Sequence, residues 1–212
     1  MRNRGVDVLV FVIMVSNRSL LEKPMPRHPD TKQRIERVAL GLFAAKGVDA
    51  TTTKDIAAGA EISEGAIYRH FEGKDALIWH LFSTNYAALA GHLDEILDAT
   101  DDFSRRVELA VDLFCGMFDR DPDLFRFILL AQHGQLDKVP DGMANPVNSL
   151  ERLFRDGIDA GLCRDDNATL LAGIALGIVL QPATFIIYCR LDGPLTAHAP
   201  SLAEAIRKAV MS

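Results

Sequence analysis

The 212 residues carry a formal net charge of −6, are 49% hydrophobic and 25% charged, and include three cysteines. A chain of this length can bury a core, in one large domain or two small ones, without disulfide support. Cys115, Cys163 and Cys189 form no C-x-x-C pair, so the sequence shows neither a zinc site nor a disulfide framework. The composition excludes a mostly disordered or collagen-like chain and favours a globular protein of the reducing cytoplasm.

The acidic excess lies in the C-terminal two thirds of the chain. The net charge is +2 over residues 1–26, zero over 27–75 and −8 over 76–212. Because binding partners respond to the local distribution of charge, the overall acidity does not exclude nucleic-acid binding by the N-terminal third.

The first 27 residues resemble a targeting segment only superficially. Arg2 and Arg4 precede an apolar run over residues 8–15, which is too short to cross a bilayer and is followed by no small-residue cleavage pattern. We therefore expect residues 1–27 to be a disordered arm or a mis-assigned start, with translation beginning at Met25.

From Asp30 onward, apolar residues recur at helical spacing, which predicts an all-α fold. Asp30 and Gln33 mark the start of a helix that ends at Gly47. Thr52 and Ser63 then cap two short helices. Three helices within this short stretch predict a compact N-terminal unit.

A long apolar stripe follows Gly73 and predicts a helix that continues from this unit into a second domain. Further helices are predicted near residues 103–119, 122–133, 146–160, 167–188 and 201–210. Pro122 and Pro146 each follow a capping residue, as is typical of a first helical position. Pro182 lies inside an apolar helix and is expected to kink or split it.

The segment 168–189 has no charged residue and is long enough to cross a bilayer. Gly173 and Gly177 permit close helix contact in a membrane or in a protein core. Gln181 and Pro182 interrupt the segment, and its flanks lack the Lys/Arg bias that orients a membrane helix. We therefore expect burial among other helices and keep a membrane-anchored helical protein as the alternative.

The short helices over residues 52–71 form a helix-turn-helix pattern, in which the second helix enters the major groove of DNA. Ser63 leaves backbone N–H groups at the start of that helix free to face a phosphate. Gly65 and Ala66 have no bulk to hold the helix away from DNA. The pattern therefore predicts a DNA-binding surface.

Residues 31–82 closely resemble the DNA-binding domain of TetR/AcrR-type bacterial transcriptional regulators, most specifically in LFAAKGVDATTTKDIA and ISEGAIYRHFEGKDAL. The resemblance implies a helix-turn-helix domain over 28–74 (motif 52–71) and an effector-binding and dimerisation domain over 75–212. The implied phosphate contacts are Tyr68, His70 and Lys74, and the implied contacts to backbone or base edges are Thr52, Lys54, Glu64, Gly65 and Ala66.

The turn of the motif departs from the family pattern, which usually reads Ala-Gly-Val-Ser. Here residues 60–63 read Ala-Glu-Ile-Ser. If Glu61 adopts the left-handed conformation that Gly supplies, the strain is about 1–2 kcal/mol. Because Glu61, Glu64 and Glu72 lie close to the expected DNA face, we expect a modest affinity that falls steeply with salt.

The resemblance also implies a homodimer whose C-terminal helices enclose a pocket, where a small molecule changes the spacing of the two DNA-reading helices. The uncharged segment 168–189 and the amphipathic helix near 201–210 both need a partner to cover them, as in a dimer. Candidate pocket residues are the aromatic and polar side chains Trp79, Tyr86, Phe114, Phe118, Phe125, Phe127, His133 and Gln181.

The sequence shows no motif of a catalytic or metal site. Asp119, Asp121 and Asp123 alternate as in a calcium loop, but Leu124 and Leu130 stand where Gly and Glu are needed. We therefore expect no enzyme activity, cofactor or membrane partner. The expected function is a cytoplasmic transcriptional repressor that binds pseudo-palindromic double-stranded DNA as a homodimer and is released by a small apolar or amphipathic effector.

Overall fold

The computed structural model describes residues 30–211, apart from the side chains of Leu130 and His133. The expected arm over residues 1–27 lies outside the described residues. The α-helices are α1 (Thr31–Lys46), α2 (Thr53–Gly59), α3 (Glu64–Tyr68), α4 (Lys74–Ala99), α5 (Phe103–Arg120), α6 (Pro122–Gln135), α7 (Pro146–Asp159), α8 (Ala168–Ile187) and α9 (Ala199–Val210). Residues 30–211 contain no β-strand, which confirms the all-α prediction.

Local capping signals determine several of the helix starts. The Asp121 carboxylate accepts a hydrogen bond from the Leu124 N–H at the start of α6. The Asn145 side chain likewise accepts from the Val147 N–H at the start of α7. Ser63 precedes α3 as predicted, but its side chain makes no capping hydrogen bond. Asp121 and Asn145 thus compensate N–H groups that lack a partner within the helix.

The long helix α4 contributes buried residues to two apolar clusters. Its first half, including Leu77 and Phe82, packs in an N-terminal apolar cluster with α1–α3 and α6. Its second half, including Leu93 and Leu97, packs in a C-terminal cluster with α5 and α7–α9. The apolar interior is therefore divided between two clusters that share α4.

Pro182 does not split α8, which continues as one helix from Ala168 to Ile187. Val179 and Ala183 are buried on either side of the proline, so packing holds both halves against the C-terminal cluster. The Thr184 hydroxyl donates a hydrogen bond of 2.9 Å to the Leu180 carbonyl nearby. Of the two outcomes expected at Pro182, a kink or a split, the continuous helix excludes the split, because tertiary packing outweighs the local break.

Only one face of α8 is covered by other helices. Its buried side chains are Leu171, Ala172, Ala175, Val179 and Ala183, and the helix packs against α7 and α9. The opposite face is exposed and consists of Leu170, Gly173, Gly177, Gln181 and Phe185, which we call the α8 outer face. By length and composition alone, α8 is the one helix within residues 30–211 that could cross a membrane.

Candidate DNA interface and effector cavity

The start of α2 is held by a reciprocal pair of hydrogen bonds. The Thr52 hydroxyl accepts from the Asp55 N–H over 3.1 Å, and the Asp55 carboxylate accepts from the Thr52 N–H over 2.9 Å. The Lys46 ammonium at the end of α1 donates to the same carboxylate over 2.8 Å. The Lys46 contact, together with the Thr52 bonds, holds the pKa of Asp55 well below its usual range.

The turn between α2 and α3 contains a strained residue. Glu61 has φ 53, the left-handed conformation that the sequence pattern predicts for this position. The Ile62 N–H donates to the Ala57 carbonyl over 3.0 Å, and the Arg34 guanidinium donates to the Ala60 carbonyl over 2.8 Å. These bonds fix the turn and, with it, the direction of α3.

Helix α3 has one buried face and one exposed face. Ala66 and Ile67 are buried in the domain core, whereas Gly65 is exposed and has open space where a Cβ would stand. Tyr68 is 55% exposed. The Ala66 side chain packs inward, as does that of Ile67, so only its backbone is placed to approach DNA.

The predicted contact residues lie on the surface around α3. Ser63, Glu64, Gly65, Tyr68 and His70 are exposed at this helix, and Thr52 and Lys54 are exposed at the start of α2. The Lys74 ammonium donates to the Val48 carbonyl over 3.1 Å, so this side chain already has one partner. These residues lie in or next to α2 and α3 and in the segment that follows α3, and their contacts to DNA stay predictions.

One exposed cation near α3 is absent from the sequence-based set. Arg69 lies between Tyr68 and His70, is exposed, and makes no salt bridge to a residue within 30–211. Lys46, by contrast, is paired with Asp55. The position of Arg69 inside the motif was the signal that could have found it.

A cavity lies between α4, α5, α6, α7 and α8 in the C-terminal domain. It has an empty volume of ≈ 490 Å³, including the part open to solvent. Of the predicted pocket residues, Tyr86, Phe114 and Phe125 line it. Met117 and Gln132 also line it and are absent from the predicted set, because helical spacing alone does not show which face meets a cavity.

The other predicted pocket residues lie elsewhere. Phe118 packs edge-on against Phe125, with ring centroids 5.2 Å apart. Trp79 packs against the N-terminal cluster, and Phe127 is buried in that cluster. Gln181 lies on the α8 outer face. The His133 side chain lies outside the described residues. The predicted set is therefore divided between the cavity and three other environments.

Helix α6 contacts both the cavity and the DNA-binding unit. Phe127 stacks on Phe43 of α1 with ring centroids 5.5 Å apart. The Asp121 carboxylate at the start of α6 pairs with the Arg37 guanidinium over 2.5 Å. Phe125 on the same helix lines the cavity. A change in the shape of the cavity that moves α6 would therefore also move the contacts of α6 with α1.

No metal site is formed by the described residues. Among them, no group of three or more His, Cys, Asp or Glu side chains is arranged to hold an ion. Two of the three alternating aspartates have structural roles: Asp121 caps α6, and Asp119 accepts hydrogen bonds from the Leu195 and Thr196 N–H groups.

The N-terminal domain matches a known family. Residues 35–81 match the sequence model of "Bacterial regulatory proteins, tetR family". The chain is 30% identical over 109 residues to the nucleoid occlusion factor SlmA of Citrobacter koseri, covering 51% of this chain and 55% of that protein. It is 40% identical over 70 residues to MftR of Mycobacterium tuberculosis, which is named for transcriptional regulation of mycofactocin biosynthesis, covering 33% and 35%.

Solved structures extend the likeness to the whole fold. The fatty acid degradation regulator FadR of Bacillus halodurans superimposes with a TM-score of 0.68 at 16% identity, covering 86% of this chain and 97% of that one. A TetR family transcription regulator of Marinobacter aquaeolei gives 0.72 at 16% identity, covering 86% and 96%.

These likenesses differ in what they cover. The chain spans about half the length of the nucleoid occlusion factor and about a third of MftR. The structural neighbours share the arrangement of helices at low sequence identity. The N-terminal domain, built on α1–α3 and the start of α4, is therefore that of the tetR family of bacterial regulatory proteins.

Proposed function

We propose that this protein is a sequence-specific DNA-binding transcriptional regulator, acting in the cytoplasm as a homodimeric repressor that a small effector releases from its operator. The observation that carries the proposal is the exposed side of α3. There Gly65 allows close approach, and Tyr68 and Arg69 project from a helix whose other face, at Ala66 and Ile67, is anchored in the core. An exposed helix anchored in this way suits the major groove.

The electrostatics of this surface favour DNA only locally. Lys54 and Arg69 are exposed, and neither forms an ion pair with a described residue. Glu61 and Glu64 lie exposed between them along the motif. Attraction to phosphates is therefore partly offset by nearby carboxylates, so binding depends on specific contacts as well as on charge.

The α8 outer face supports the homodimer. Leu170 is 51% and Phe185 is 43% exposed, on either side of Gly173 and Gly177. An apolar face with small central residues is suited to a second copy of the same helix across a two-fold axis. A two-fold dimer presents two copies of α3 and so requires a pseudo-palindromic operator.

The cavity supports regulation by a small molecule. Its wall includes Phe125 on α6, and the same helix stacks Phe127 on Phe43 of the DNA-binding unit. An effector that prefers one position of α6 would shift the population of dimers away from the DNA-competent spacing. Membrane anchoring has no comparable support, because the buried face of α8 packs against α7 and α9.

Selection of bound sequences from random duplex DNA tests the proposal directly. We expect a pseudo-palindromic consensus, and we expect Tyr68→Ala, Arg69→Ala and Lys74→Ala each to weaken binding to it. Loss of one phosphate contact should lower the slope of log K against log salt by about one for Arg69→Ala or Lys74→Ala.

A matched control removes a lysine far from the DNA interface. Lys208 on α9 is exposed and pairs with Glu204, so Lys208→Ala should leave the affinity and the salt slope unchanged. Failure to enrich any sequence, together with no DNA binding at low salt, would reject the proposed function.

A further inference from the structure

The cavity wall has two polar side chains in an otherwise apolar lining. Tyr86 comes from α4 and Gln132 from α6, and the other eleven lining residues are apolar. Burial raises the pKa of the Tyr86 phenol, which keeps that group neutral near pH 7. A hydroxyl and a primary amide together offer both donors and acceptors to a ligand.

Among the side chains that the structure describes, the cavity lining provides no charged partner for an ionised ligand. None of the thirteen lining residues is Asp, Glu, Lys or Arg. Arg126, on the neighbouring stretch of α6, lies against α1, where its guanidinium is 3.4 Å from the Ala44 carbonyl. Transfer of an unpaired carboxylate or ammonium into such an environment is strongly unfavourable.

An apolar space adjoins the cavity. This second cavity is lined only by apolar side chains and has an empty volume of ≈ 330 Å³, including the part open to solvent. It shares Phe114, Leu150 and Leu176 with the larger cavity, so these three side chains separate the two spaces. A ligand held at its polar end by Tyr86 and Gln132 would therefore direct its hydrocarbon part toward these shared residues.

We propose that the effector is an uncharged amphiphile whose hydroxyl, carbonyl or amide group binds Tyr86 and Gln132, and whose hydrocarbon part packs against Phe114, Leu150 and Leu176. The proposal rests on the effector site of the proposed function and adds the chemical class of its ligand. It excludes free fatty acids and alkyl ammonium ions, because their charge would have no counter-ion among the lining residues.

A pair of nearly isosteric probes tests the charge requirement. Octanamide and octanoate have the same chain and differ in charge at the polar end, and octylammonium adds the opposite charge. In calorimetric titrations of the full-length protein near pH 7, we expect octanamide to bind at least about 30-fold more tightly than either ion. Equal or tighter binding of octanoate or octylammonium would overturn the proposal.

Fluorescence provides a second readout within the same protein. Trp79 is the one tryptophan of the sequence. Its ring lies 6.3 Å from that of Phe82, which in turn stacks 4.8 Å from Tyr86 in the cavity wall. We expect octanamide to change the Trp79 emission with the same affinity that calorimetry gives, and a signal from octanoate alone would count against the proposal.

Conservative variants test the two polar residues. Tyr86→Phe and Gln132→Leu each remove hydrogen-bonding groups with little change in size, and each should weaken octanamide about 3- to 10-fold. Toluene, which makes no such hydrogen bonds, should bind these variants as well as it binds the original protein. Unchanged octanamide affinity in both variants would overturn the assignment.

A matched tyrosine control lies outside the cavity. Tyr188 follows the end of α8 and is exposed, so Tyr188→Phe removes a hydroxyl that cannot reach the ligand. Octanamide affinity should be unchanged in Tyr188→Phe. A loss equal to that of Tyr86→Phe would show that the effect does not arise in the cavity and would count against the proposal.

DNA binding by the unliganded protein separates this proposal from the proposed function. If no duplex DNA is bound, the proposed function fails, whereas the probe affinities still decide the ligand class. If DNA is bound but octanamide neither binds nor releases it, the regulator remains and the proposed ligand class is overturned.

Discussion

The Thr53 hydroxyl donates a hydrogen bond of 2.5 Å to the Glu64 carboxylate and so joins the first turn of α2 to the first turn of α3. This bond fixes the relative position of the two motif helices at their exposed ends. A carboxylate at the start of a helix interacts favourably with the helix dipole. The same charge repels a phosphate that approaches α3, so Glu64 stabilises the motif at the expense of DNA affinity.

Removal of the Glu64 charge should therefore tighten DNA binding. Glu64→Gln retains an oxygen that can accept from Thr53 and removes one negative charge, worth about 1 kcal/mol against a nearby phosphate at low salt. We expect the DNA affinity to rise about 3- to 10-fold in fluorescence anisotropy titrations, with less gain as salt increases. Glu204→Gln on α9 is the control and should leave the DNA affinity unchanged. If Glu64→Gln brings no gain in affinity, the Glu64 carboxylate does not face DNA.

Relief of strain at Glu61 should stabilise the protein. Its φ of 53 costs a residue with a Cβ about 1–2 kcal/mol, whereas glycine adopts it freely but loses about 0.5–1 kcal/mol of chain entropy on folding. We expect Glu61→Gly to raise the free energy of unfolding by about 0.5–1 kcal/mol in urea titrations.

Glu61→Ala separates strain from charge at the same position. Alanine removes the carboxylate and keeps the Cβ, so the strain at this φ remains. Equal stabilisation by Ala and Gly would contradict the strain argument and would assign the effect to the charge.

The sequence predicts the helices of this protein better than the orientation of their side chains. Caps at Thr52 and Asp121 are local, so they can be identified from neighbouring residues alone. Phe125 and Phe127 stand only two residues apart on α6, yet the first lines the cavity and the second stacks on α1. Residues at this spacing point to different sides of a helix, and only tertiary packing determines which side meets the cavity.

The same limit applies to the DNA interface. Gly65 and Ala66 are both small and looked equivalent in the sequence, but Gly65 is exposed and Ala66 packs in the core. Arg69 is not among the contacts that the family pattern predicts, although its neighbours Tyr68 and His70 are. The family pattern therefore located the motif, and the structure was needed to assign the exposed face.

The stability of the protein should fall in acid through Asp55. Its pKa is held low in the folded state by the Lys46 ammonium and by the Thr52 bonds, so its contribution is fully present above the ordinary value of 3.8. That contribution is lost as pH falls from 3.8 through the lower folded pKa, because the unfolded state then binds the proton more tightly. Asp55→Asn should lower the stability at neutral pH. Its thermal midpoint should also fall less steeply below pH 3.8, the acid limb of a plot of midpoint against pH, than that of the original protein.

Asp49→Asn is the control for this titration. Asp49 is an exposed carboxylate in the loop between α1 and α2, within the same N-terminal unit as Asp55. Its substitution should leave the acid limb in place. Parallel acid limbs for the original protein and Asp55→Asn would show that Asp55 does not contribute to the loss.

The close packing between α5 and α7 should make Gly157 intolerant of a side chain. A Cβ at this position would lie 2.6 Å from the Cys163 sulfur and 2.8 Å from the Phe103 ring, both of them buried. We expect Gly157→Ala to lower the free energy of unfolding by about 1–3 kcal/mol in urea. Gly91→Ala, in open space on α4, should instead stabilise by about 0.5–1 kcal/mol, and destabilisation of similar size in both would contradict the packing argument.

The proposed homodimer makes a prediction for the centre of the α8 outer face. Gly177 is exposed with open space around its Cβ position, so Gly177→Arg fits the isolated subunit without a clash. In a two-fold interface it would place two unpaired guanidinium groups against each other in an apolar setting. Burial of these two charges should destabilise the dimer by about 3–5 kcal/mol. Its dissociation constant would then rise at least about 100-fold.

Sedimentation equilibrium measures this change, and operator binding shows its consequence. We expect Gly177→Arg to sediment as a monomer at concentrations where the original protein is a dimer, and to lose the preference for a palindrome over a half-site. Gly91→Arg is the control, because Gly91 is equally open but lies on α4, away from the α8 outer face. An undiminished dimer of Gly177→Arg would place the interface elsewhere, since two charges of like sign cannot be buried together there without a measurable cost.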